Sequence, residues 1–121
     1  MIKFDHMSLP VSNPEASRDW YVSMLGFRVE FEITERRTYA LVDDADFTIF
    51  FYPAAGALGE ARPAFTLQVD DVDAKYSELV SKGVAFVSAP AKQYSGYGAE
   101  LDDPDGYRLM LWDETSMRAN G

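Results

Sequence analysis

Cysteine is absent from the 121 residues, and histidine occurs once, as His6. The first absence removes disulfides, thiolate nucleophiles and cysteine-based metal sites together. The second leaves any metal centre with a single imidazole. Long apolar runs are missing as well. No stretch approaches the roughly 20 residues of a transmembrane helix, and Met1-Ile2-Lys3-Phe4-Asp5-His6 lacks the apolar segment of a secretory signal. A cytoplasmic protein with no membrane partner is the expectation. Basic residues are scarce, 11 against 20 acidic, for a formal net charge of −9. That balance argues against nucleic acid and anionic lipid as partners. Its first use is solubility, although a cationic small molecule would also be favoured.

Catalytic templates are missing too. The chain contains no Gly-x-Ser-x-Gly elbow, no phosphate-binding Gly-x-x-x-x-Gly-Lys-Ser/Thr loop and no Gly-x-Gly-x-x-Gly turn. The acidic pairs Asp43-Asp44, Asp70-Asp71 and Asp102-Asp103 fall where strands end or helices begin, and capping and turn formation account for them.

What is present is core material: 47% hydrophobic and 14% aromatic residues in a chain of single-domain length. Alternation over residues 2 to 9 predicts a first strand, with Phe4, His6 and Ser8 on one face and Met7 and Leu9 on the other. Ser12-Asn13-Pro14-Glu15 supplies a cap, a first-turn proline and an early acid, so a helix follows, with Ala16, Trp20 and Met24 at helical spacing and Gly26 past its end. Strands rich in β-branched and aromatic residues are predicted near 27–34, 37–43 and 46–52. A small-residue connector, 54–63, then divides the chain.

The second half repeats the first: a strand at 64–69, a helix at 72–82, Gly83, and strands near 84–87, 97–102 and 107–112. Val11 and Val69, like Ala16 and Ala74, stand 58 residues apart, which marks two copies of one βαβββ unit. The modules are thus 1–53 and 64–113, and the tail 114–121, without period or apolar content, is expected to fray unless it crosses to a partner.

His6 in the first strand, the Trp20-Tyr21 helix running into Leu25-Gly26-Phe27, the Val69-Asp70-Asp71-Val72 helix start and Asp103-Pro104-Asp105-Gly106 occur in order over nearly the whole chain. In these features the sequence resembles the vicinal oxygen chelate, or glyoxalase/bleomycin resistance/dioxygenase, superfamily. The resemblance implies an α+β fold of two βαβββ modules forming a curved mixed-sheet cup, with helices outside and a cavity inside, and commonly a homodimer. It also implies where the superfamily's enzymes place metal ligands, in the first and last strands of each half. Here those positions hold His6, Phe50, Ala64 and Met110. Three are apolar, and a divalent cation needs several nitrogen or oxygen donors, so no metal and no cofactor is expected. Glu30, Glu32 or Glu100 would have to supply replacement ligands.

With His6 facing inward, strand alternation places Phe4, Ser8, Thr48, Phe50, Tyr52, Thr66, Gln68, Arg108, Met110 and Trp112 on the same inner surface. Ile49, Phe51, Phe65, Leu67, Leu109 and Leu111 then face the helices. From this surface the candidate ligand-binding residues are His6, Phe4, Phe50, Tyr52, Gln68, Arg108, Met110 and Trp112, an aromatic lining with a few polar anchors that suits a small organic molecule. Two functions follow. One is a metal-independent small-molecule-binding protein of the bleomycin-resistance type, sequestering an antibiotic or an aromatic or cationic metabolite. The other is a metal-dependent lyase, isomerase or dioxygenase with rearranged ligands, or one in which His6 and Tyr52 move protons without metal.

Overall fold

A computed structural model describes residues 1, 4–59, 63–93 and 96–121. The chain divides into two compact units, Met1–Glu60 and Ala61–Gly121.

In the first unit, strand β1 (His6–Val11) leads into helix α1 (Pro14–Leu25), followed by β2 (Arg28–Ile33), a 3₁₀ turn at Thr34–Arg36, β3 (Thr38–Val42) and β4 (Thr48–Pro53). The helix starts where its chemistry directs. Asn13 is extended and its side chain accepts the Ala16 N–H at 3.1 Å, while Pro14 opens the first turn, where it has no intrahelical bond to lose. It stops at Gly26, whose φ of 73° lies in the left-handed region that a β-carbon disfavours. The strands order as β1-β4-β3-β2, with β1 parallel to β4 and the other pairs antiparallel. One face carries Leu9, Val11, Tyr39, Leu41, Ile49 and Phe51, all buried, and α1 covers it by setting the Tyr21 ring 4.7 Å from that of Phe51.

The second unit repeats the plan with β5 (Phe65–Gln68), α2 (Val72–Ser81), β6 (Phe86–Gln93), β7 (Gly96–Asp102) and β8 (Arg108–Trp112), ordered β5-β8-β7-β6 with β5 parallel to β8. Asp71 caps α2 by accepting the Ala74 N–H at 3.0 Å, the counterpart of Asn13 and Ala16. Leu79, Ala99, Leu101, Leu109 and Leu111 form its core. The registers match as well. Ser8 lies opposite Phe50 in the first unit and Thr66 opposite Met110 in the second, and Pro10 opposite Tyr52 corresponds to Gln68 opposite Trp112. The turn before the last strand is also built twice. Asp43 Oδ1 accepts the Ala45 and Phe47 N–H groups, each at 2.9 Å, and Asp103 Oδ1 accepts those of Asp105 and Tyr107 at the same distance.

Three features differ from the sequence expectation. The first strand begins at His6, and of the residues expected ahead of it, 2 and 3 lie outside the described residues. Strand β6 runs on through Pro90 to Gln93; as an edge strand with two register shifts it loses little by a missing N–H. Residues Glu114–Asn120, expected to fray, form helix α3. Its hold is local chemistry rather than an apolar stripe: Asp113 accepts the Ser116 N–H at 2.6 Å, and the Met117 sulfur accepts the Tyr97 N–H at 3.3 Å.

Candidate functional site

Alternation leaves each sheet with a face that its helix does not cover, and the sequence-derived site residues other than Phe4 lie on these two faces. In the first unit the His6 ring stacks on Phe50 with centroids 4.1 Å apart and planes 18° from parallel, and Phe31 meets the other ring edge-on at 5.5 Å. Parallel pairing of β1 with β4 brings these groups together, and register places Ala40, opposite both Phe31 and Phe50, beneath them. The small Ala40 side chain leaves room for the rings. Asp5 accepts a hydrogen bond from His6 Nδ1 at 2.8 Å, so the imidazole is held by a carboxylate on one edge and an aromatic face on one side.

Beside this stack a broadly open cavity of about 460 Å³ is lined by Arg28, Val29, Glu30, Val42, Asp46 and Thr48. A β-bulge between Val29 and Phe31 inserts Glu30 as an extra residue, and the Glu30 carboxylate accepts from Thr48 Oγ1 at 2.9 Å. Arg28 reaches Asp44 at 3.7 Å with both side chains exposed, a pairing of small energetic weight.

In the second unit the open face is ionic. Arg108 donates through Nε to Asp102 Oδ1 at 2.6 Å and through Nη1 to Glu100 Oε2 at 2.9 Å. These bonds, first Asp102 and then Glu100, push its pKa above the ordinary arginine value. One guanidinium against two carboxylates leaves this face with net negative charge. Met110 and Trp112, both half-buried, and the exposed Thr66 and Gln68 complete it.

Of the residues singled out from sequence, His6 and Phe50 are in direct contact, and Tyr52 lies further along β4, 39% exposed. Gln68, Arg108, Met110 and Trp112 share the open face of the second sheet. Phe4 stands apart: it precedes β1 and is 90% exposed. Sequence reasoning passed over Asp5, Arg28, Phe31, Val42 and Asp46. A carboxylate next to the lone histidine was a visible signal; the bulge that aims Glu30 and Phe31 was not.

The donor set does not fit a metal ion. Phe50 and Met110 stand at matching points of β4 and β8, where the register makes them counterparts, and neither offers an oxygen or nitrogen ligand. Among the described residues no three His, Asp or Glu side chains gather closely enough to hold a cation. Glu30 is engaged with Thr48, and Glu100 with Arg108.

Two successive βαβββ units, each with one helix-covered face and one open face bearing aromatic and polar groups, define a duplicated α+β protein. The chain belongs to the Glyoxalase/Bleomycin resistance protein/Dioxygenase superfamily, whose family model matches residues 3–111. Among solved structures it is similar to TnmS3, described as an antibiotic binding protein from Streptomyces sp. CB03234, with 29% identity over 93% of this chain and 96% of that one and a TM-score of 0.72. A glyoxalase/bleomycin resistance protein from the same organism is 30% identical over 87% of this chain and 95% of that one, with a TM-score of 0.68. A superfamily member from Sphaerobacter thermophilus DSM 20745 is 26% identical, covering 93% and 98% respectively, with a TM-score of 0.73. No curated protein matches the chain. Among the described residues, no helix is long and apolar enough to cross a membrane.

Proposed function

We propose that this protein binds a small organic molecule on its open sheet faces without a metal ion, as a metal-independent binding protein of the bleomycin-resistance type, and works as a cytoplasmic homodimer. The observation that carries the reading is the substitution of apolar groups at the matched points of the closing strands. Phe50 is stacked between ring neighbours, and Met110 stands where it stands in the other half. Such groups offer contact area and ring faces in place of Lewis acidity. The likeness to an antibiotic binding protein at 29% identity supports the same reading. Taken separately, the ring face of the first unit suits a planar aromatic ligand, and the Arg108–Glu100–Asp102 face of the second suits positive charge.

The test is calorimetric titration of chelator-stripped protein with nickel, zinc and cobalt, then with a panel of aromatic and cationic antibiotics. No tight stoichiometric metal binding is expected, and an antibiotic hit should lose affinity by about tenfold or more in Phe50→Ala or Trp112→Ala. Stoichiometric metal uptake that disappears in His6→Ala would overturn the reading in favour of a lyase, isomerase or dioxygenase. Light scattering should return twice the 13.6 kDa chain mass; a monomer at working concentration removes the dimer.

A further inference from the structure

We infer that the Asp5–His6 pair is a built hydrogen-bond acceptor, and that the ligand of this site carries an acidic O–H, as a phenol or enol does, which it donates to His6 Nε2. The inference rests on the binding function proposed above and names the chemistry that this site selects.

The pair defines which nitrogen is free. Asp5 Oδ2 lies 2.8 Å from His6 Nδ1, and an ionised carboxylate can only accept, so the ring proton sits on Nδ1. In the neutral imidazole the lone pair is then on Nε2. Among the described residues Asp5 is the only hydrogen-bond partner of the ring. A half-turn of the ring would bring Cδ2 to Asp5 and forfeit that hydrogen bond, while the near-parallel stack on Phe50 at 4.1 Å sets the plane of the ring. The His6 side chain remains 35% exposed, so a molecule can approach it.

A carboxylate-backed imidazole with a free lone pair can serve a metal or a proton donor. A metal needs further ligands, and the neighbours at this site are rings and the Thr48 hydroxyl, which donates to Glu30. A proton donor needs only the one lone pair. The adjoining Phe50 and Phe31 rings supply apolar surface for an aromatic body attached to that hydroxyl, and a phenol satisfies both halves of the site.

His6 is the sole histidine, so its tautomer can be read from a nitrogen-15 spectrum of the full chain without assignment. At about pH 8 the wild type should show the proton on Nδ1. Asp5→Ala should shift the population to the Nε2–H form that free imidazole side chains prefer. A wild-type ring already protonated on Nε2 overturns the inference.

Binding is then compared by equilibrium dialysis for 2-naphthol and 2-methoxynaphthalene, which differ only in the donor. The wild type should prefer 2-naphthol by about tenfold, the effect of one hydrogen bond. His6→Phe, which keeps a ring but no acceptor, should bind the two alike. Equal wild-type affinities would leave the aromatic pocket standing and remove His6 as its reader. Binding of neither compound would remove this face as a ligand site altogether.

Discussion

Glu15 stands in the first turn of α1 and accepts hydrogen bonds from two residues more than twenty positions along the chain, the Arg37 guanidinium and, at 2.8 Å, the Tyr39 hydroxyl. Arg18 lies over the same tyrosine ring, 4.6 Å from its centroid. The hydrogen bond from Arg37, then that from Tyr39, holds the Glu15 carboxyl down at about 2, against 4.5 for an unperturbed glutamate. A carboxyl whose folded pKa is depressed stabilises the fold in full above its unfolded value, and the contribution is lost as pH falls through the folded one. The acid limb of the stability curve between 4.5 and about 2 should therefore flatten in Glu15→Gln, as urea midpoints at stepped pH would show. An unchanged limb would mean that Arg37 and Tyr39 do not hold the charge. From sequence, Glu15 was legible as an acid favouring the helix dipole. Its partners were not, because a single chain carries no sign of which side chains meet across 22 and 24 residues.

At the scale of elements, Asp113 joins two helices. Its carboxylate accepts the Val72 N–H at 2.6 Å, at the start of α2, and the Ser116 N–H and hydroxyl at 2.6 and 2.9 Å, at the start of α3. The backbone donors of Ser116 and then Val72 hold its pKa below the ordinary aspartate value. Asp113→Ala should cost roughly 2–3 kcal/mol, the loss of a buried acceptor shared by two helix starts, whereas Asp71→Ala, a single exposed cap, should cost about 1 kcal/mol. Denaturant titration of the two variants checks the ranking, and equal losses would remove the double role. Helix α3 lies beyond the residues that match the superfamily, and nothing in its composition announced it. A seven-residue helix held by one cap and one methionine leaves no periodic stripe to read. The strands and longer helices were legible because alternation, caps and glycine stops agree there. The twin of the Asp-Pro-Asp-Gly turn was hidden. Where Gly106 takes a φ of 82°, the first unit uses Asp46 at 62°, a position that aspartate tolerates and that no glycine marks.

For the whole molecule, the duplication that the sequence showed as a 58-residue offset carries through helix caps, strand registers and turns, while the two open faces have diverged. The point of β4 held by Thr48 is Arg108 in β8, and Ala40 and Val42 of β3 correspond to the carboxylates of Glu100 and Asp102 in β7. One framework thus presents rings in one unit and an ion cluster in the other. The inward and outward parity of these faces followed from alternation, but their contents depend on bulges and cross-strand neighbours that only the register discloses. The register also bears on the order of assembly. Antiparallel β2, β3 and β4 are joined by short turns and can zip locally, whereas β1 must come back to β4 across the whole of α1 and the meander, pairing His6 with Thr48. Closing that long loop is the costlier step, so topology makes the parallel pair late to form. The imidazole and the ring it stacks on sit on opposite sides of that late seam, so the stack exists only once β1 has docked against β4.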